Sequence, residues 1–281
     1  LHYPLRRQRQ MCIRDSNMTN LLRRATSGFI YAILFISAIM YSKESYIILI
    51  SFFGFISLRE FFKLLKFNNS IIYLLFIGLI LLPYLPIHLF FIKLLLVLSL
   101  SGSVQLLLSL FLKRKNYPSN SIQKFDICVR YLLLSFTFLI LLPFINGVYE
   151  QSVILTLIIL IWVNDSFAFF VGKNLGRNKL FESVSPKKTL EGFFGGVLFS
   201  LITAFLLSYF CDFLSLTNLI VISLIASILG TAGDLVESKF KRQAHTKDSG
   251  NIMPGHGGIL DRLDSLLFVA PFVYLYIHYL I

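Results

Sequence analysis

Residues 238–264, SKFKRQAHTKDSGNIMPGHGGILDRLD, interrupt a very apolar chain with a dense group of charges. The segment contains five cations, three carboxylates, two histidines and four glycines. Apolar sequence lies on both sides, at about residues 216–231 and 265–281, and each stretch is compatible with a membrane helix. This alternation predicts a polar site held at one membrane face between two helices.

The composition of the whole chain supports a membrane protein. Of its 281 residues, 56% are hydrophobic and only 14% are charged, which is too apolar for a soluble domain of this size. A helical span needs about 20 residues, so the second of the nine apolar segments is short. The segments are residues 27–41, 46–58, 70–87, 88–112, 128–145, 152–171, 193–210, 216–231 and 265–281. We therefore predict an all-α fold, a polytopic helical membrane bundle with about nine transmembrane helices.

The positions of the basic residues predict the orientation of this bundle. With the N-terminus in the cytoplasm, 24 of the 26 Lys and Arg residues lie in cytoplasmic stretches, and only Lys43 and Lys93 lie on the other side. An even partition would give nearly equal numbers, so we expect an N-in, C-out topology. The net charge of +12 is then a signal of topology and of phosphate binding, and no nucleic-acid partner is expected.

Three regions of the chain differ in character. Residues 1–17 are basic and lack both helical periodicity and a signal-peptide core, so we expect them to be a non-native N-terminal extension. Residues 18–150 contain mostly Leu, Ile and Phe, which indicates a transmembrane scaffold half. Most carboxylates and glycines lie in residues 151–281, which indicates a transmembrane catalytic half with two cytoplasmic active-site loops.

The segment 238–264 offers candidate ligands of two kinds, namely cations that can gather phosphates and hard oxygen donors of the kind Mg²⁺ takes. The cations are Lys239, Lys241, Arg242, Lys247 and Arg262, and the carboxylates are Asp248, Asp261 and Asp264. Glycines around His256 allow a close backbone approach to a ligand. The alternative is a solvated basic loop that only obeys the positive-inside rule, but such a loop has no use for His256-Gly257-Gly258 or for paired aspartates.

A second polar group occupies residues 162–196, WVNDSFAFFVGKNLGRNKLFESVSPKKTLEGFFGG. Asp165 lies within an apolar segment, where a carboxylate is costly unless it is paired or faces a polar cavity; a helix-packing contact is the alternative. The loop 185–189 suits a triphosphate, although it is not a Walker A loop. A third group pairs Asp234 with Glu237, three residues apart. It is either an exposed helix end or one side of a metal site shared with Asp261.

Two motifs carry a resemblance to the phosphatidate cytidylyltransferases, also called CDP-diacylglycerol synthases. The C-terminal motif of that family resembles Ser238, Phe240, Lys241-Arg242, Lys247-Asp248, Gly250, Pro254, His256-Gly257-Gly258, Asp261-Arg262 and Asp264, with Met253 where Leu, Ile or Phe is expected. Its nucleotide-side motif resembles Asp165, Ala168, Gly172, Gly176, Lys179-Leu180, Ser185-Pro186, Lys188-Thr189, Glu191-Gly192 and Gly195-Gly196. The specific resemblance covers about residues 162–264, and the first half matches only in its hydrophobic character.

The resemblance implies an enzyme that converts CTP and phosphatidate into CDP-diacylglycerol and pyrophosphate with Mg²⁺, and it leaves a second, monovalent cation open. It implies metal ligands at Asp234 and Asp261, with Asp264 as a further candidate. The catalytic candidates are Asp234, Asp261, Lys241, Arg242, Arg262 and His256. The substrate-binding candidates are Asp165, Lys173, Lys179, Ser185, Lys187, Lys188, Thr189, Glu191, Ser238, Lys247, Asp248, Gly257 and Gly258. We expect an active site on the cytoplasmic face of a bacterial inner membrane, and a homodimer is left open.

Two other functions remain open at this point. A CTP-dependent lipid kinase of the dolichol kinase kind would share the apolar body and the nucleotide site, but it would transfer the γ-phosphoryl group. A transporter would be expected to place charged or broken-helix sites near the middle of the membrane, often in repeated halves. Here the acidic residues lie at the predicted cytoplasmic ends beside cations, and the sequence shows no repeat.

Overall fold

The structure is a computed structural model that describes residues 26–85, 89–111, 117–210, 213–253, 255 and 257–281. Most of these residues are helical. The helices are α1 (Thr26–Tyr41), α2 (Lys43–Leu65), α3 (Ser70–Ile80), α4 (Leu89–Phe111), α5 (Ser121–Ile127), α6 (Leu134–Leu141), α7 (Gln151–Leu175), α8 (Leu190–Leu207), α9 (Leu216–Gln243) and α10 (Leu260–Tyr279). A π-helical segment, Cys128–Leu133, joins α5 to α6, and a 3₁₀ turn, Leu82–Tyr84, follows α3.

The lengths and compositions of the helices are those of a membrane protein. Within the described ranges, α4, α7, α8 and α9 are each long and apolar enough to cross a bilayer. The apolar helix α1 is shorter, as is α3 with its 3₁₀ turn. Each predicted apolar segment is helical over most of its described length. The chain is therefore a helical integral membrane protein, while the count of nine spans and the N-in, C-out orientation stay predictions.

Two short antiparallel hairpins add to this helical body, and the all-α prediction did not include them. The first pairs β1 (Phe144–Ile145) with β2 (Val148–Tyr149), and the second pairs β3 (Lys179–Phe181) with β4 (Ser185–Thr189). In the first, Asn146 and Gly147 both have positive φ, as a tight hairpin turn requires. The prediction that residues 128–145 form one helical span was therefore wrong at its C-terminal end.

Helix α9 extends well beyond its predicted apolar part. It begins after Ser215, whose hydroxyl accepts a hydrogen bond from the backbone N–H of Asn218, and it continues to Gln243. The first residues of the segment 238–264 are therefore helical. Asp234, Glu237 and Lys241 follow each other at intervals of three and four residues, so all three lie on one face of α9.

Close contacts between helices bring the polar residues together. A Cβ atom added to Gly192 in α8 would lie 2.6 Å from the carbonyl oxygen of Ala168 in α7. A Cβ atom on Gly233 in α9 would lie 2.5 Å from the Cβ of Phe268 in α10. Such approaches are available only to glycine, which lets membrane helices pack at short range. As a result α7 packs on α8, and α9 packs between α8 and α10.

One buried core draws side chains from both predicted halves of the chain. The rings of Phe61 in α2 and Phe240 in α9 are 5.3 Å apart, and those of Tyr131 and Phe268 are 6.2 Å apart. All four side chains are almost completely buried. The helices before residue 150 therefore support the C-terminal polar segment directly.

Candidate functional site

The two polar segments of the sequence meet at one cavity of about 640 Å³. This volume is typical of small-molecule sites, which enclose roughly 300 to 1,000 Å³. Its acidic lining residues are Asp165, Asp234, Asp248, Asp261 and Asp264, and its basic ones are Lys173, Lys179, Lys187, Lys188, Lys241 and Arg262. Ala168, Phe169, Leu180 and Phe193 add an apolar part to the wall. The cavity can therefore hold a polyanion and an apolar group at once.

An ion pair connects the hairpin strand β4 to helix α9. The Nζ atom of Lys188 lies 2.6 Å from Oδ2 of Asp234, and both side chains are about one-third exposed or less. Oδ1 of Asp234 accepts a hydrogen bond of 3.1 Å from the hydroxyl of Ser238, one turn later in α9. The nucleotide-side segment and the C-terminal segment are thus in direct contact. Ser238 orients Asp234 and is not among the residues that line the cavity.

Lys241 makes the second charged connection, between α9 and α10. Its Nζ atom lies 2.7 Å from Oδ1 of Asp261 and 3.3 Å from Oε1 of Glu237. Glu237 is fully buried, so its carboxylate depends on this ion pair with Lys241. The interpretation of the Asp234 and Glu237 pair as an exposed helix end was therefore wrong, because Glu237 lies inside the bundle behind Lys241.

The glycine-rich turn serves to hold Asp261. Oδ2 of Asp261 accepts hydrogen bonds of 2.8 Å from the backbone N–H groups of Ser249 and Gly258, and one of 2.9 Å from the Ser249 hydroxyl. Gly257 has a φ of +86°, and an added Cβ there would lie 2.6 Å from the same oxygen. Any other residue at position 257 would strain the backbone and push Asp261 away. Gly257 and Gly258 thus position a carboxylate and do not themselves line the cavity.

Glu60, in α2, supports this turn from the scaffold half. Its side chain is 3% exposed and accepts hydrogen bonds from the backbone N–H groups of Ile259 (3.2 Å) and Leu260 (2.9 Å), at the start of α10. The Ser249 hydroxyl is a further donor, at 3.3 Å. A Cβ on Gly258 would lie 2.5 Å from both Glu60 carboxylate oxygens, so Glu60 fills the space that a side chain would need. Glu60 therefore satisfies the N-terminal N–H groups of α10 and fixes the turn.

The surroundings of Asp261 and Glu60 shift the pKa values of these two carboxylates in opposite directions. Burial by itself would raise the pKa of Asp261, but the Lys241 ammonium and the hydrogen bonds from the turn hold it below its usual value. Burial raises the pKa of Glu60, although its own hydrogen bonds oppose that effect. Asp261 is therefore held in the charged form that a cation would need.

The start of α8 forms the opposite wall of the cavity. The Thr189 hydroxyl caps α8 by accepting a hydrogen bond of 3.1 Å from the backbone N–H of Gly192. The carboxylate of Glu191 accepts hydrogen bonds from the backbone N–H groups of Arg177 and Asn178, at 3.0 and 3.1 Å. Glu191 thus joins the end of α7 to α8 and is not among the lining residues.

Several predicted residues lie away from the cavity. The guanidinium of Arg242 donates to the carbonyl oxygens of Val184 (3.4 Å) and Thr246 (3.1 Å) and so joins α9 to the second hairpin. Ser185 and Lys247 are not among the lining residues either. His256 lies outside the described residues.

The carboxylates offer oxygen atoms of the type that Mg²⁺ takes. Lys188 pairs with Asp234, and Lys241 pairs with both Glu237 and Asp261. In the described part of the chain no three His, Cys, Asp or Glu side chains are close enough to share a metal ion. The donor chemistry fits a divalent cation, and binding would need carboxylates such as Asp234 to leave their lysine.

Comparison with known proteins places the chain in a family. The model of the cytidylyltransferase family matches residues 22–280. The chain belongs to the cytidylyltransferase family. A phosphatidate cytidylyltransferase of Bacillus subtilis is 34% identical over 274 residues, which cover 92% of this chain and 97% of that protein. Phosphatidate cytidylyltransferases of Staphylococcus haemolyticus and Staphylococcus aureus are 49% and 50% identical over 119 residues, covering 42% of this chain and 46% of each relative.

In this cytidylyltransferase family member, sequence reasoning missed two supporting carboxylates. Glu60 was counted with the scaffold, although a lone Glu at the end of an apolar segment was a signal that it needs partners. Glu237 was noted only for its spacing from Asp234. The interval of four residues to Lys241 could have indicated an ion pair on the buried face of the helix.

Proposed function

We propose that this chain transfers the cytidylyl group of CTP to phosphatidate, giving CDP-diacylglycerol and pyrophosphate. The observation that carries the proposal is the cavity in which Lys188 of one polar segment meets Asp234 of the other, beside an apolar wall. A site with acidic, basic and apolar lining suits a nucleoside triphosphate and a phospholipid together. The activity named for the relatives agrees with this chemistry.

The reaction needs positioning more than proton transfer. A phosphate oxygen of phosphatidate attacks the α-phosphorus of CTP, a new P–O bond forms, and the bond between the α-phosphorus and the bridging oxygen breaks to release pyrophosphate. The attacking phosphate is already an anion and needs no general base. The obstacle is repulsion between two polyanions, so cations at fixed positions lower the barrier.

We assign the phosphate groups to the basic lining. Lys173, Lys179 and Lys187 lie near the end of α7 and in the second hairpin, and they suit the triphosphate of CTP. Lys241 and Arg262 lie on the side of α9 and α10 and suit the lipid phosphate or the departing pyrophosphate. The apolar wall of Phe169 and Phe193, in α7 and α8, suits the diacylglycerol part of the lipid.

We assign a divalent cation, Mg²⁺, to Asp234 and Asp261, with Asp264 as a third ligand. When bound, Mg²⁺ would screen the charge of the triphosphate and stabilise the pyrophosphate leaving group. Ser238 and the glycine turn hold the two carboxylates in place, and Lys188 and Lys241 balance their charge in its absence. We place the site on the cytoplasmic face of a bacterial inner membrane, following the positive-inside pattern of the sequence.

The proposal is tested with purified protein, phosphatidate, Mg²⁺ and one nucleotide at a time. CTP should give CDP-diacylglycerol and one equivalent of pyrophosphate, and ATP should give neither. Formation of CDP with a phosphorylated lipid would instead identify a lipid kinase, which the names of the relatives do not favour. The absence of any phosphatidate-dependent pyrophosphate would contradict the proposal.

A further inference from the structure

A second cavity, of about 500 Å³, lies where α2 ends and α3 begins. Its lining residues are Arg59, Phe62, Lys63, Lys66, Phe67, Asn68 and Tyr73. None of them lines the catalytic cavity. The second cavity, which we call the basic pocket, is therefore a separate place at which an anion can bind.

The three cations of the basic pocket have no side-chain partner within the part of the chain that the structure describes. Among the described residues, the side chains of Arg59, Lys63 and Lys66 make no ion pair and no hydrogen bond. Arg59 and Lys63 stand four residues apart on one face of α2, where like charges repel, and Lys66 follows as the residue that caps the end of the helix. The helix dipole favours cations only in the last turn, so it accounts for Lys63 and Lys66 and not for Arg59. An anion among the three would relieve this repulsion.

The floor of the basic pocket is formed by packed aromatic rings. The buried ring of Phe62 packs edge-on against Tyr73 and Phe67, with centroid distances of 5.3 and 5.9 Å. Lys66 has a φ of 47°, and its backbone N–H is hydrogen bonded to the carbonyl oxygen of Lys63, so the chain turns sharply at the rim. The cations thus surround a preformed depression, which a merely solvated basic loop would not provide.

The helix that leaves the basic pocket is suited to contact with lipid. Ile71, Leu74 and Ile77 follow each other at intervals of three residues along α3, and their side chains are 58%, 69% and 49% exposed. An exposed apolar row in a membrane protein faces acyl chains, and it begins beside the pocket. A free phosphate ion would use the cations but not this row, whereas a phospholipid would use both.

We propose that the basic pocket binds the phosphate group of an anionic membrane phospholipid, whose acyl chains lie along α3. The bound lipid is distinct from the substrate in the catalytic cavity. Its headgroup phosphate accepts hydrogen bonds from Arg59, Lys63 and Lys66.

Native mass spectrometry of the purified protein in detergent, titrated with phosphatidylglycerol or with phosphatidylcholine, tests this proposal. The pocket variant carries Arg59→Gln, Lys63→Gln and Lys66→Gln. The control variant carries Lys113→Gln, Arg114→Gln and Lys115→Gln, which remove the same charge from another predicted cytoplasmic stretch. We expect the pocket variant to retain one fewer phosphatidylglycerol per chain than the control and the wild type, with no change in phosphatidylcholine.

Two further arms of the experiment identify the source of the phosphate and guard against misfolding. Inorganic phosphate at millimolar concentration should not displace phosphatidylglycerol from the wild-type protein. Loss of that lipid on addition of phosphate would show a soluble-phosphate site and overturn the lipid assignment. If the triple variant does not elute like wild type, Lys63→Gln alone is used, since its ammonium is at the surface, and a several-fold weaker binding of phosphatidylglycerol is expected. Equal retention of phosphatidylglycerol by the pocket and control variants would show that these cations serve topology alone.

Discussion

Replacement of Glu60 by alanine should destabilise the protein and disturb the catalytic cavity, although Glu60 itself does not line that cavity. The carboxylate accepts the backbone N–H groups of Ile259 and Leu260, and both N–H groups become buried without a partner when it is removed. An unsatisfied buried donor costs about 1 to 3 kcal/mol, so Glu60→Ala should destabilise the protein by about 2 to 6 kcal/mol. Glu60→Gln keeps one acceptor oxygen and should cost about half as much.

The same substitution should lower turnover, because the turn that Glu60 supports also holds Asp261. The Ser249 hydroxyl lies within hydrogen-bonding distance of both carboxylates, at 3.3 Å from Glu60 and 2.9 Å from Asp261. Misplacement of a reacting group by about 1 Å can cost roughly 100-fold in rate, so we expect kcat to fall by at least about tenfold. KM for CTP should change little, since the basic lining of the second hairpin is untouched.

The assay compares Glu60→Ala, Glu60→Gln and a control on the same helix. Glu44 lies in the first turn of α2 with its side chain about half exposed. Glu44→Ala should therefore leave both the unfolding midpoint and kcat unchanged. Thermal unfolding in detergent gives the stability, and steady-state pyrophosphate release gives kcat and KM. If Glu60→Ala kept the wild-type unfolding midpoint and the wild-type kcat, Glu60 would not support the turn before α10 as we infer.

Four other predictions concern a metal ligand, the nucleotide, the buried charges and the topology. Asp261→Asn keeps the size of the side chain but removes its charge, so turnover should be lost while the protein still elutes as wild type; wild-type turnover would exclude Asp261 as a metal ligand. Lys188 lies in β4 next to Lys187, on the side of the cavity that we assign to CTP, so Lys188→Ala should raise KM for CTP with little change for phosphatidate. Equal effects on both substrates would show that the division of the cavity is wrong. Lys241→Ala should lower the unfolding midpoint instead, because it leaves buried Glu237 and Asp261 without their cation. A cysteine at position 119 should react with an impermeant reagent only from the cytoplasmic face, and one at position 150 only from the opposite face; reversal of the pair would exclude the predicted orientation.

The sequence predicted the helices and the two polar segments because both signals are local. Apolar length and the placement of cations report on membrane helices, and the glycine and aspartate pattern reports on a turn beside carboxylates. The resemblance assigned Lys188 and Asp234 to one site in different roles, and the structure brings the two residues together as an ion pair.

Long-range support could not be predicted in the same way. Glu60 and Leu260 are 200 residues apart in sequence, and no local pattern links a carboxylate in α2 to the first turn of α10. The second hairpin was missed because residues 179–189 have neither strict alternation nor a typical two-residue turn. Arg242 resembled a phosphate ligand by its motif, yet the direction of its side chain depends on the carbonyl groups of Val184 and Thr246, which only the packed structure reveals.

The fate of the phosphorus atoms of CTP tests the central claim most directly. Purified protein with phosphatidate and Mg²⁺ is given CTP labelled with ³²P at the α-position or, separately, at the γ-position, and the lipid is extracted and counted. We predict label in the lipid from α-labelled CTP only, with the γ-label in pyrophosphate, and no labelled lipid with the Asp261→Asn protein. Label in the lipid from γ-labelled CTP would contradict cytidylyl transfer.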